Sequence, residues 1–99
     1  MKQNFTLVEI SCNTVYKYFQ NQFELLLKEI LANHLNVNLT NLKSFEELIY
    51  SIPSDMFLFE IYTNVYYYIN SNDIKSHTND LMEILIFLKK YEKGLPQKR

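Results

Sequence analysis

The chain has 99 residues, of which 47% are hydrophobic and 15% aromatic, enough for the core of one small domain and too many for a disordered chain. Its formal net charge is −1, but residues 1–88 carry −5 and residues 89–99 carry +4. An acidic body repels the phosphates of nucleic acids and attracts basic proteins, so we expect no nucleic-acid partner.

The beginning of the sequence, MKQNFTLVEISC, lacks the apolar run of a secretory signal, and the longest apolar runs elsewhere are too short to cross a bilayer. We therefore expect a cytoplasmic protein that does not bind membranes. Cys12 is the single cysteine and has no partner for an internal disulfide, which fits a reducing compartment. We expect its side chain to be a small buried apolar group.

The first segment, residues 5–11, fits two structures. Its Thr6-x-x-Glu9 spacing can cap a helix, but TLVEIS could equally be a strand. Residues 13–35 are clearer, because their apolar side chains recur every three or four positions and so predict a long helix. The predicted inward stripe consists of Val15, Phe19, Phe23, Leu26, Leu27 and Ile30.

A short helix is predicted over residues 44–52. Ser44 and Glu47 have the spacing of a capping box, in which each side chain bonds the backbone of the other residue. The residues expected to point inward are Phe45, Leu48, Ile49 and Ile52. Pro53 then ends the helix.

Residues 54–71 are rich in aromatic and β-branched side chains, a composition typical of strands. Their periodicity is helical, however, because the polar side chains fall within about 120° of a helical wheel. These polar residues are Glu60, Thr63, Asn64, Asn70 and Ser71. A hairpin turning at Thr63-Asn64 would lack the glycine that such turns favour. The pattern favours a helix; the alternative is an α+β fold with strands near 5–11, 56–62 and 65–70.

The last predicted helix covers residues 78–93, with Thr78 or Asn79 as its cap and Gly94 as a left-handed terminator. Its apolar residues surround most of the helix, which predicts a central helix buried on most sides. Together these elements predict an all-α, compact single-domain bundle of about four helices over residues 1–93, followed by a basic, flexible tail at 94–99.

Side chains for catalysis are sparse. No glycine precedes Gly94, which excludes the glycine-rich loops that bind phosphates. Cys12, His34 and His77 are scattered singly, without the paired spacing of a zinc site. His34 is expected to interact with the dipole at a helix end, and His77 to lie in a solvated loop. We therefore predict no enzymatic activity, no catalytic or metal-binding residues and no cofactor.

Three tyrosines break the apolar pattern, because Tyr18, Tyr50 and Tyr67 fall on the polar sides of their helices. Tyrosine is frequent in protein interfaces since it combines a large ring with a polar tip. The alternative is that these rings cover neighbouring helices of the same domain. The predicted partner-binding residues are Tyr67, Glu60, Asn64, Tyr50, Glu46, Glu47 and Tyr18. Tyr16, Tyr62, Tyr66, Tyr68 and Tyr91 are expected in the core or at its edge.

Small size, an acidic body and outward tyrosines suggest a non-catalytic protein that inhibits a basic protein partner by direct contact. The class that fits best is a bacterial immunity protein or antitoxin that neutralises a cognate toxin, such as a nuclease domain. The alternative is a homo-oligomeric structural or regulatory subunit, for example a homodimer, which would use the same surfaces on a second copy of itself.

Overall fold

The computed structural model describes residues 12–96, apart from the side chain of Cys12. Within this range the chain forms four α-helices and one 3-10 turn: α1 (Cys12–Asn33), α2 (Phe45–Tyr50), α3 (Phe57–Ile69), the turn Ile74–His77 and α4 (Thr78–Lys93). The all-α prediction is confirmed, and the strands proposed at 56–62 and 65–70 are wrong. The segment 5–11, the expected burial of Cys12 and residues 97–99 of the tail lie outside the described residues.

Helix α1 supplies one wall of the core. Its predicted stripe is buried from Phe19 to Ile30, whereas Val15 is only half-buried near the beginning of the helix. The helix is followed by Asn36, which adopts the left-handed conformation with φ 62°. Asparagine tolerates this conformation better than other residues that carry a side chain. The Val37 amide then donates to the Leu31 carbonyl at 2.8 Å, so the chain turns away from the helix axis.

Helix α2 has the predicted capping box. The Glu47 amide donates to Ser44 Oγ at 3.1 Å, and the Ser44 amide donates to Glu47 Oε1 at 3.2 Å. Two amides that the first turn leaves without a helical partner are thereby satisfied. The four residues expected to point inward are all buried: Phe45, Leu48, Ile49 and Ile52.

Helix α3 packs one side against the core. Leu58, Tyr62, Val65 and Ile69 are spaced by three or four residues and all are buried, which explains why the helical period prevails over strand-like composition. Tyr62 is fully buried; its ring meets Phe23 and Phe45 edge to face, each at a centroid distance of 6.2 Å. Burial also raises the pKa of the Tyr62 hydroxyl, so the residue stays neutral in the folded protein.

Helix α4 is less buried than predicted. Only Leu81, Leu85 and Leu88 are buried, and they face α1 and the 3-10 turn. The helix is peripheral, because this small domain places neighbours on one of its sides and leaves apolar residues on the other side exposed.

The predicted bounds of α4, residues 78–93, are confirmed, but both predicted caps are wrong. The 3-10 turn leads directly into the helix, and the Thr78 hydroxyl donates to the Lys75 carbonyl at 3.1 Å, so it does not cap the helix. Asn79 does not cap the helix either. The residue that precedes the helix is His77, and its side chain makes no capping bond. Gly94 has φ −86° and ψ −6°, a right-handed conformation. The left-handed residue of the described chain is Asn36.

His34 connects the end of α1 to the C-terminal segment. The residue is 4% exposed, with Nδ1 2.9 Å from the Pro96 carbonyl oxygen and Nε2 2.8 Å from Glu92 Oε2. Its partners are therefore two specific acceptors, and the predicted interaction with a helix dipole does not describe its role. The other histidine, predicted to be solvated, is half-buried and stacks on Tyr68 at a centroid distance of 4.5 Å.

Candidate protein-binding surface

Tyr50 and Tyr67 point outward, as predicted, with 68% and 70% of their surfaces exposed. Each lies opposite the buried stripe of its own helix, Tyr50 at the end of α2 and Tyr67 in the last turns of α3. The Tyr50 ring leans on Phe59 of α3 at a centroid distance of 6.3 Å, so it is held near the surface of the neighbouring helix. Within residues 12–96, no other helix covers either tyrosine.

Two grooves join these tyrosines into one surface. The first, of about 190 Å³, lies between α2 and α3 and is lined by Glu46, Ile49, Tyr50, Phe59, Thr63 and Tyr66. The second, of about 500 Å³, follows the end of α3 and is lined by Thr63, Tyr66, Tyr67, Asn70, Ser71 and Asn72. Because Thr63 and Tyr66 line both, the grooves are contiguous. We call the residues that line them the tyrosine face.

The charge of the tyrosine face is negative. Of the described residues that line the two grooves, Glu46 is the only charged one and none is basic. The pKa of Tyr66 is raised, first by burial of its ring and then by the nearby Glu46 carboxylate, with smaller effects from Tyr16 and Tyr50. Tyr66 therefore remains a neutral phenol.

Two polar side chains of the tyrosine face, Thr63 and Asn70, donate to carbonyls of α3 and leave an oxygen able to accept hydrogen bonds. The Thr63 hydroxyl donates its hydrogen to the Phe59 carbonyl at 2.7 Å, and the Asn70 amide donates to the Tyr66 carbonyl at 2.8 Å. The Thr63 hydroxyl has used its one hydrogen and can accept bonds from outside, whereas the Asn70 amide keeps a second N–H beside its acceptor oxygen. Lysine and arginine carry only donors, so this arrangement suits a basic partner.

Glu60, Asn64 and Tyr67 form an outer ridge along α3, at positions i, i+4 and i+7, and all three are exposed. Tyr67 itself lines the second groove, so the ridge and the tyrosine face share this residue. On the other side of the ridge, Asn64 lines a separate groove between α3 and α4. The structure therefore brings Glu60 and Asn64 to the edge of the tyrosine face.

Two predicted residues do not belong with the others. Glu47 is exposed, but its carboxylate accepts from the amides of Lys43 and Ser44 at 2.6 and 3.2 Å, so it is committed to capping α2. Tyr18 is 49% exposed on α1 and lines a groove with Thr78 that shares no residue with the tyrosine face.

Sequence reasoning missed Thr63, Tyr66 and Asn70 as members of the tyrosine face. Thr63 and Asn70 were placed on the polar arc of α3, and Tyr66, expected at the core edge, is half-buried as predicted. The missing information was the position of α2, which turns one edge of α3 into the floor of a groove. The wheel of α3 alone does not contain that information.

Two other kinds of feature are absent from the described part of the chain. Across residues 12–96, no helix combines the length and apolar character that a membrane span requires. The same residues contain no group of three histidine, cysteine, aspartate or glutamate side chains arranged to hold a metal ion.

Comparison with protein-family models, with curated proteins and with solved structures gives no match to this chain. Its function is therefore inferred from the chemistry of its own surface.

Proposed function

We propose that this protein is a non-catalytic inhibitor that binds a basic protein partner through the tyrosine face. The observation that carries the proposal is the contiguity of Tyr50, Tyr66 and Tyr67 beside Glu46, with no basic residue lining the grooves. Tyrosine rings at the centre of an interface contribute much of the binding energy, and a field of one sign accelerates association with a partner of the opposite sign.

Chemical complementarity supports a partner rich in lysine and arginine. Cationic side chains pack favourably against the faces of tyrosine rings. Their N–H groups would find acceptors in the Glu46 carboxylate and the Thr63 hydroxyl, whose own hydrogen is already donated to Phe59. Proteins that act on nucleic acids carry such basic clefts. Among non-catalytic inhibitors of basic proteins, we propose an immunity protein or antitoxin that occupies the cleft of a nuclease toxin.

The first experiment identifies the partner. Tagged wild-type protein is used to capture proteins from its native cells, in parallel with a Tyr50→Ala/Tyr67→Ala variant and a Tyr18→Ala variant. Tyr18 is the matched control because it is also an exposed tyrosine but lies away from the tyrosine face. The expected result is a basic protein retained by the wild type and by Tyr18→Ala, and lost with the double variant.

The second experiment measures how this protein inhibits its purified partner. We expect the wild type to suppress the partner's nuclease or other toxic activity stoichiometrically, and Glu46→Lys to slow association several-fold at low salt. Glu29→Lys, which makes the same charge change at an exposed position of α1, should have a smaller effect. A partner that is not basic, or equal effects of both charge changes, would contradict the proposal.

A further inference from the structure

The outer side of α4 presents apolar residues that nothing in the described chain covers. Ile86 is 51% exposed, Phe87 48% and Met82 38%, and Phe57 of α3 extends the patch with 48% exposure. The rings of Phe57 and Phe87 both contact Tyr91, at centroid distances of 5.1 and 6.3 Å, so they form one continuous aromatic surface. A clustered apolar surface of this kind is typical of an interaction site.

Within this patch, Glu83, Ile86, Phe87 and Lys90 occupy positions i, i+3, i+4 and i+7 and so form a single stripe along the helix. We call them the α4 stripe. The two apolar residues stand at its centre, and opposite charges stand at its ends. All four are exposed, and within residues 12–96 neither Glu83 nor Lys90 takes part in an ion pair.

The stripe is complementary to itself in one orientation. If a second copy packs antiparallel, with a twofold axis between Ile86 and Phe87, each Glu83 faces Lys90 of the other copy. The same symmetry places Asp80 opposite Lys93 and Ile86 opposite Phe87. Parallel packing would instead bring Glu83 near Glu83 and Lys90 near Lys90. The charges therefore favour the antiparallel arrangement and oppose the parallel one.

We propose that α4 mediates self-association of this protein into an antiparallel twofold dimer through the α4 stripe. Such an interface is isologous, since the same residues contribute from both copies. The helix is about 24 Å long, so the contact is small and belongs with weak, transient interfaces. The proposal does not depend on the inhibitor function, because the α4 stripe and the tyrosine face have no residue in common. The two surfaces adjoin at Asn64, which lines a groove with Glu83 and Phe87.

Charge reversal tests this geometry. Glu83→Lys gives a stripe with lysine at both ends, and Lys90→Glu gives a stripe with glutamate at both ends. Each variant alone should dimerise about tenfold more weakly than the wild type, because two attractive contacts become two repulsive ones. An equimolar mixture of the two should form a heterodimer, and the double variant Glu83→Lys/Lys90→Glu should regain the wild-type dissociation constant.

Sedimentation equilibrium between 10 μM and 1 mM measures these constants, with circular dichroism as the check on folding. Asp55→Lys and Lys75→Glu are the matched controls, since they make the same charge changes at exposed positions outside the α4 stripe. They should leave the dissociation constant within about twofold of the wild type, well short of the tenfold change expected for the stripe variants. A wild type that stays monomeric at 1 mM overturns the proposal, as does a dimer that neither charge reversal weakens.

Discussion

Replacing His34 by glutamine should make the stability of this protein lower and less dependent on pH. Both hydrogen-bond partners of the ring are acceptors: Nδ1 meets the Pro96 carbonyl at 2.9 Å, and Nε2 meets the Glu92 carboxylate at 2.8 Å. Only the protonated imidazole has a hydrogen on each nitrogen and can donate both bonds. The bond to Pro96 and then the bond to Glu92 raise the pKa of His34 above its ordinary value of 6.5, while burial opposes them.

The sign of the pH effect follows from this direction. A group whose pKa is higher in the folded state stabilises the fold fully below its unfolded pKa, and that contribution is lost as pH rises through the folded pKa. Hydrogen bonds to charged groups contribute about 1.5–3 kcal/mol each, and partial solvent access to Glu92 reduces the total. We expect His34→Gln to lower the free energy of unfolding by about 2–4 kcal/mol at pH 5.5, and by roughly 1 kcal/mol at pH 8.5.

Urea unfolding followed by circular dichroism at both pH values measures these differences. His77→Gln is the control, because it removes the other histidine, and it should retain the pH dependence of the wild type. Glu92→Gln should reduce the dependence, since an amide replaces the carboxylate that Nε2 meets. If His34→Gln destabilises the protein equally at pH 5.5 and pH 8.5, or more at pH 8.5, then a protonated His34 that bonds both Pro96 and Glu92 is refuted.

Three further predictions concern stability and are checked by urea unfolding. Ser44→Ala should cost about 1 kcal/mol because the capping box is lost, whereas Ser54→Ala in the exposed loop should cost under about 0.5 kcal/mol. Tyr62→Phe should cost about 1 kcal/mol or less, since its bond to the Phe23 carbonyl is long at 3.4 Å, but Tyr62→Ala should cost about 3–5 kcal/mol. Asn36→Val should cost about 1–2 kcal/mol and Asn36→Gly almost nothing, because φ is 62° there. If both variants of a pair lost the same free energy of unfolding, the contact or backbone conformation that the pair tests would be contradicted.

Features set by neighbouring residues could be predicted from the sequence. The capping box of α2 needs only the Ser44–Glu47 spacing, and the helical structure of α3 follows from the period of its polar residues. Exposure of Tyr50 and Tyr67 followed from the helical wheels of α2 and α3, since each tyrosine stands opposite the buried stripe of its own helix.

Features set by distant residues could not be predicted in this way. His34 binds groups 58 and 62 positions further along the chain, so its role depends on how α4 meets α1. Helix α4 is apolar around most of its circumference, but exposure of Ile86 and Phe87 depends on how many helices surround it. The grooves of the tyrosine face likewise depend on the packing of α2 beside α3.

The central claim is that the tyrosine face holds a basic protein partner, and the dissociation rate of the purified complex tests it most directly. Surface plasmon resonance can compare the wild type with Tyr67→Ala and with the control Tyr18→Ala. Both side chains are exposed, at 70% and 49%, so we expect both variants to remain folded. A central interface tyrosine contributes about 2 kcal/mol or more, so Tyr67→Ala should accelerate dissociation by about 30-fold, with Tyr18→Ala within about twofold of the wild type. Equal dissociation rates for the wild type and Tyr67→Ala would contradict the claim.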